Sequence, residues 1–201
     1  MNQLLKSISY IFHPLLMPLL GVVFYFSKTP RFVPESLMKA KVFSISILTI
    51  VLPILLYLLL KTINKVDNAH LETVKERRIP LLINSVILIL ILIRVLPQDE
   101  IPELYFFFMG ILISNITCFA LTLAKFKASI HMIGSAGFFM FAIALAIHFK
   151  ININGTIALM CIILGAIATS RLHMKAHTNT ELIAGFFVGL MPQLILLNYW
   201  M

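Results

Sequence analysis

Residues 170–181 read SRLHMKAHTNTE and lie between two apolar runs. His177 and Glu181 are four positions apart, so a helix beginning near residue 177 places both on one face. A carboxylate in that position accepts from one imidazole nitrogen, fixes the tautomer and leaves the other nitrogen as a nucleophile or base. Arg171 and Lys175 suit an anion held beside the ring, the first as a bidentate fork and the second as a point charge. The N-terminus of the following helix adds backbone N–H groups. Together these groups fit phosphoryl transfer to a histidine. Two further stretches carry matching chemistry. In KASIHMIGSAG (127–137), His131 opens an apolar run, where it can protonate a leaving oxygen, and Ser129 can donate to a phosphate oxygen. In VKERRIP (74–80), Lys75, Arg77 and Arg78 precede another apolar run, with Pro80 suited to a first helical turn.

These three stretches are far apart in sequence, so a scaffold must bring them together. Of 201 residues, 60% are hydrophobic and 12% charged, and the mean hydropathy is +1.00. A soluble domain carries about twice that charged fraction. The apolar runs match the thickness of a bilayer, which needs about 20 residues of helix. The expected fold is all-α: a single polytopic transmembrane bundle over residues 1–201, with seven spans near 8–27, 41–61, 80–96, 102–124, 129–149, 153–169 and 181–199, and six as the alternative count. Pro14, Pro18, Pro53 and Pro192 fall inside spans, which membrane helices tolerate. Gly134 and Gly137 permit close helix approach, and Asn115 reads as interhelical glue. Cys118 and Cys161 both sit in apolar runs and imply no disulfide or thiol metal site. With seven spans, the N-terminus and the loops at 62–79, 125–128 and 170–180 share one face, and that face holds ten of the sixteen basic residues. The net charge of +8 therefore points to anionic lipid headgroups or phosphates as partners and not to nucleic acid.

The motifs resemble those of the type 2 phosphatidic acid phosphatase superfamily of membrane lipid phosphatases. Its third motif, Ser-Arg, five residues, His, three residues, Asp, is matched in spacing by Ser170, Arg171, His177 and Glu181, with Glu in place of Asp. Its second, Pro-Ser-Gly-His, is matched by Ser129 and His131, while Ala128 and Ile130 replace Pro and Gly. Its first, a Lys motif ending in Arg-Pro, is matched only by Arg77 and Arg78 before Pro80, and Leu71 stands where the Lys would be. The resemblance covers about residues 75–181. It implies a metal-independent phosphatase with no cofactor, acting on a lipid phosphate or pyrophosphate. His177 would form a phosphohistidine, His131 would protonate the leaving group and Glu181 would orient His177. Arg171, Ser129, Ser170, Lys75 and one of Arg77 or Arg78 would hold the phosphoryl group. The family core has six spans, so either the region near 81–124 is rebuilt here with an extra hairpin or one of the seven spans does not cross.

Other readings weigh against these. A degraded relative would bind anionic lipid or scaffold partners without turnover. A small transporter would line a path with His13, His131 and Asn115. His173, His177 and Glu181, four apart on one helix, would form a metal face. Lys61, Lys65 and His70 read as loop or interface, as does His148. The chain is expected in the cytoplasmic membrane of a bacterium. Setting aside Arg77, Arg78, Arg171 and Lys175 as phosphate ligands leaves six basic residues on each face. The positive-inside rule is then silent, and the resemblance places the site on the non-cytoplasmic side.

Overall fold

The computed structural model describes residues 2–63 and 73–201. Lys65, His70 and Leu71 lie outside the described residues. The helices are α1 (Asn2–Ile11), α2 (Met17–Lys28), α3 (Glu35–Ser46), α4 (Leu52–Thr62), α5 (Val74–Leu90), α6 (Pro102–Leu123), α7 (Ile130–Phe149), α8 (Asn154–His173) and α9 (Asn179–Leu196). A π-turn at Ile47–Val51 joins α3 to α4 in one span, and a second at Ile91–Val95 extends α5. The described residues are all-α, and seven of their helical segments are long and apolar enough to cross a membrane. The count of seven holds.

Three boundaries differ from the sequence expectation: the second span starts at Glu35 and not near 41, and two others differ for local reasons. The first span is interrupted after Ile11. Pro14 has no N–H to continue the ladder, and the His13 ring accepts from Leu15 N at 3.3 Å, capping the short 3₁₀ turn that leads into α2. His13 thus serves its own chain break, and its ring also meets His131 edge-on at 5.5 Å. The third span starts at Val74 and not near Pro80, because Thr73 caps it: its hydroxyl accepts from Glu76 N and donates to the Glu76 carboxylate. VKERRIP is therefore helical, with Pro80 in its second turn.

The centre of the bundle is α7, packed against α9, α2, α8 and α6. Its closest neighbour is α9, through Gly185 and Gly189. A Cβ on Gly189 would lie 2.1 Å from Ile133 O, and one on Gly185 would lie 2.8 Å from Ser129 O. Only hydrogen fits there, and the backbones meet directly. Of the glycines anticipated from sequence, Gly137 faces Gly189 O, while Gly134 faces Met17. The aromatic core of Tyr25, Phe107, Phe108 and Phe141 fills the half of the bundle away from the His177 loop. Asn115 does join helices: it donates to Leu81 O and Ser85 Oγ on α5, both at 2.8 Å, and accepts from Asn84.

Polar contacts sort the two ends as loop parity predicts. At one end, Arg77 meets Ala128, Lys127 meets Ala176 and Ser129 meets Glu181. At the other, buried Glu103 is paired with Arg31 at 2.9 Å and His148 at 3.3 Å, and Lys41 meets Glu100. His148 is thus a partner for a carboxylate and not only an interfacial ring.

Candidate functional site

The turn between α8 and α9 sets the site. Arg171 and His173 are in the last turn of α8, which ends in a Schellman motif: Lys175 N bonds Leu172 O, and Ala176 N bonds Arg171 O. Lys175 occupies the left-handed position, φ 51°, and its side chain is exposed. His173, His177 and Glu181 are consequently on three different local structures, and the shared helix face that a metal reading requires does not form. Among the described residues no group of three His, Cys, Asp or Glu is spaced to hold a metal.

The helix begins at Asn179, two residues later than the spacing argument assumed, yet the pair forms. Thr178 is the N-cap and Glu181 the third residue of a capping box. The Glu181 carboxylate reaches back, and its Oε2 accepts from Thr178 N at 3.0 Å and from His177 Nδ1 at 2.9 Å. A carboxylate only accepts, so Nδ1 carries the proton and Nε2 keeps its lone pair. The His177 side chain is 1% exposed. Burial pushes its pKa down; the Glu181 hydrogen bond opposes this, and Arg77, Arg171 and Lys127 add to it, leaving it at about 4. The ring is neutral and nucleophilic at physiological pH.

Two buried guanidinium groups lie in the electrostatic field of this ring. Arg77 Nη1 donates to Ala128 O at 2.7 Å, which fixes the side chain against the start of α7. Arg171 is 5% exposed, and among the described residues neither its Nε nor its Nη1 has a hydrogen-bond partner. Leaving buried donors unpaired costs about 1–3 kcal/mol each, more when charged. An anion accepting from them would remove that cost.

Helical geometry separates the adjacent arginines by about 100°. Arg77 turns toward His177 and Glu181, whereas Arg78 turns to Thr122 O, at 3.5 Å, at the end of α6. Lys75 is exposed and about 200° around α5 from Arg77, away from the cluster.

His131 is in the first turn of α7, within the electrostatic field of Arg171 and His177. Its Nε2 faces Ser9 O on α1 at 3.2 Å. A carbonyl only accepts, so Nε2 carries a proton that is already engaged. Ser129 caps α7 through Met132 N, and its own N–H donates to Glu181 O at 3.1 Å, a backbone bond between two helices. Ser170 is fully buried, with its hydroxyl bound to α1 through Leu5 O and Ser9 Oγ. Both serines are therefore used to tie helices around the site. Comparison with family models, with curated proteins and with solved structures finds no match to this chain.

The structure brings together His177, Glu181, Arg171, Arg77 and His131, the principal residues singled out from sequence. It adds two that sequence reasoning missed. Lys127, in the loop before α7, donates Nζ to Ala176 O at 3.2 Å. Ser9 meets both His131 and Ser170. For Lys127 the available signal was its position two residues before Ser129. For Ser9 there was none, since a serine in a hydrophobic N-terminal helix has no distinguishing spacing. Two grooves, of about 720 and 630 Å³, open elsewhere, one lined by Phe26, Met38 and Phe43 and one by Asp99, Phe106 and Trp200.

Proposed function

We propose that the protein is a membrane phosphatase that removes a phosphoryl group from a lipid phosphate or pyrophosphate through a phosphohistidine. The observation that carries this reading is the pairing of an oriented, neutral His177 with the unpartnered guanidinium N–H groups of Arg171. His177 Nε2 attacks phosphorus as the P–O bond to the lipid breaks. The departing oxygen takes the bonding pair and a proton. In this reading His131, whose Nε2–H is held by Ser9 O, takes up a second proton on Nδ1 as the doubly charged phosphate binds, and passes that Nδ1 proton to the departing oxygen. Positive charge grows on the His177 ring as the N–P bond forms, and Glu181 offsets it through Nδ1. Water then attacks phosphorus and passes a proton to His131, and the P–N pair returns to Nε2. Arg77 and Arg171 hold the non-bridging oxygens throughout, as fixed charges aimed where negative charge builds up.

The engagement of His131 Nε2 by Ser9 O also favours a second reading, an anionic-lipid-binding relative without turnover, in which the same cations hold a headgroup. One experiment separates the two. The purified chain is assayed against phosphatidate, phosphatidylglycerol phosphate, a prenyl pyrophosphate and a lipid A phosphate, with and without EDTA. Phosphate release from at least one of them, lost in His177→Ala and insensitive to EDTA, is the expected result. Three cations around His177 repel a divalent metal. Undiminished release by His177→Ala overturns the assignment. No release from any substrate, with retained binding to anionic vesicles, selects the second reading.

A further inference from the structure

Lys127 is on the loop between α6 and α7, half-buried, three residues before the first turn of α7. Its ammonium donates to the carbonyl of Ala176, the residue immediately before His177, and lies within the electrostatic field of the His177 ring. Two motifs forty-nine positions apart are thus joined by a cation at the edge of the candidate phosphoryl site. The loop is short and shaped: α6 ends in a Schellman motif with Lys125 left-handed at φ 62°, and Ser129 caps the helix that follows. Lys127 is therefore held between two fixed points and aimed across them. Counting Arg77, Arg171 and Lys127 against Glu181 leaves two positive charges around His177. A terminal phosphate monoester carries about two negative charges near neutral pH, and a phosphodiester one.

We propose that Lys127 is a phosphate-holding and specificity-determining residue, moving its ammonium from Ala176 O onto a phosphoryl oxygen of a terminal, doubly charged phosphate. The inference rests on the phosphatase reading for its substrate class, and its charge count excludes phosphodiester headgroups. An ammonium is a compact point charge with three rotatable donors, so it can exchange a carbonyl for a phosphoryl oxygen by a small rotation of its stem.

The test compares wild type, Lys127→Met and Lys127→Arg as full-length protein in detergent. Dioctanoyl phosphatidate is the substrate, and orthovanadate the phosphate mimic. Lys127→Met is expected to raise KM and the vanadate inhibition constant by about 10-fold or more, with a smaller change in kcat. Its acid limb of activity should move to higher pH, because a cation that holds His177 neutral is gone. Lys127→Arg should restore most of the affinity. A staple between two loops would instead lower thermal stability and leave KM, vanadate inhibition and the acid limb unmoved, and that result overturns the proposal. Turnover by wild type with Lys127→Met indistinguishable from it overturns the lysine's role alone. If wild type hydrolyses none of the four lipid phosphates named above, vanadate-induced thermal stabilisation is read instead. Stabilisation of wild type but not of Lys127→Met keeps the phosphate-holding role and removes the phosphatase reading. Stabilisation of neither removes both.

Discussion

Replacing Glu181 by Gln separates the two jobs of its carboxylate. Both hydrogen bonds, from His177 Nδ1 and Thr178 N, end on the same oxygen. A Gln carbonyl placed there accepts both, and its amide group turned there would face an N–H donor. Gln is also accepted at the third position of a capping box. Tautomer and cap therefore survive, and only the charge is lost. Hydrogen bonds to charged groups contribute about 1.5–3 kcal/mol and neutral ones about 0.5–1.5. The difference, about 1–1.5 kcal/mol, is felt when positive charge grows on the imidazole, and it corresponds to about a 10-fold drop in kcat. Glu181→Ala loses the ring's orientation as well, with a drop of roughly 10²–10³-fold expected, and costs about 0.3–1.5 kcal/mol of helix capping. The assay is initial phosphate release from a short-chain lipid phosphate in mixed micelles. Stability is followed by thiol-dye labelling of buried Cys118 in a Cys161→Ser background, since Cys161 is exposed. Gln as inactive as His177→Ala, or Ala as active as wild type, would refute the reasoning.

Arg77→Ala should lower kcat/KM by roughly 10²-fold or more, while Arg78→Ala, whose guanidinium meets Thr122 O at the end of α6, should change it little; parallel kinetics in which Arg78→Ala is the more damaging reverse the assignment. His177 titrates near pH 4 when folded against 6.5 when unfolded, so the unfolded chain takes up the proton first as pH falls. The stability that this residue contributes is present above about pH 6.5 and is lost progressively toward pH 4. His177→Gln should flatten that part of a melting profile measured across pH 4–7, and an unchanged slope argues against a buried neutral ring. Gly189→Ala drives a methyl group into Ile133 O and should cost about 1–3 kcal/mol or more. Gly165→Ala, with nothing within 4 Å, should be neutral or stabilising, and equal melting shifts for the two would show that α9 does not seat on α7 through that glycine.

Hydropathy made the seven spans legible, and alternating loops made their sidedness legible, because both follow from bilayer thickness. The His177–Glu181 pair was legible from spacing, although the geometry that makes it differs. A carboxylate in the first turn reaches backwards past the cap, so a histidine outside the helix is as accessible as one within it. The charged turn of α5 read as loop because Lys, Glu and Arg depress hydropathy, yet Thr73 and Glu76 carry a capping-box spacing, and Ala128 O compensates the buried Arg77. The interruption at His13 was hidden because a hydropathy window runs smoothly across proline. Gly185 and Gly189, four apart in GFFVG, were passed over in favour of Gly134 and Gly137, although they make the closer approach. Lys127 and Ser9 act on residues 49 or more positions away, a range that pattern in one sequence does not reach.

The backbone bond from Ser129 N to Glu181 O, flanked by the seating of Gly185 and Gly189 on α7, means that peptide units and not side chains set the separation of α7, which carries His131, from α9, which carries the Glu181 partner of His177. A side-chain exchange that widens that gap, such as Gly189→Ala, does so at a cost in stability. If the site takes a lipid phosphate as proposed, accommodation of a bulkier or slimmer headgroup falls to the walls made by α1 and α5. Those are attached by exchangeable hydroxyl and guanidinium contacts, at Ser9 with Ser170 and at Arg77 with Ala128. The bundle thus divides its labour between an invariant gauge block and adjustable jaws, and a directed-evolution library aimed at new headgroups belongs on the jaws.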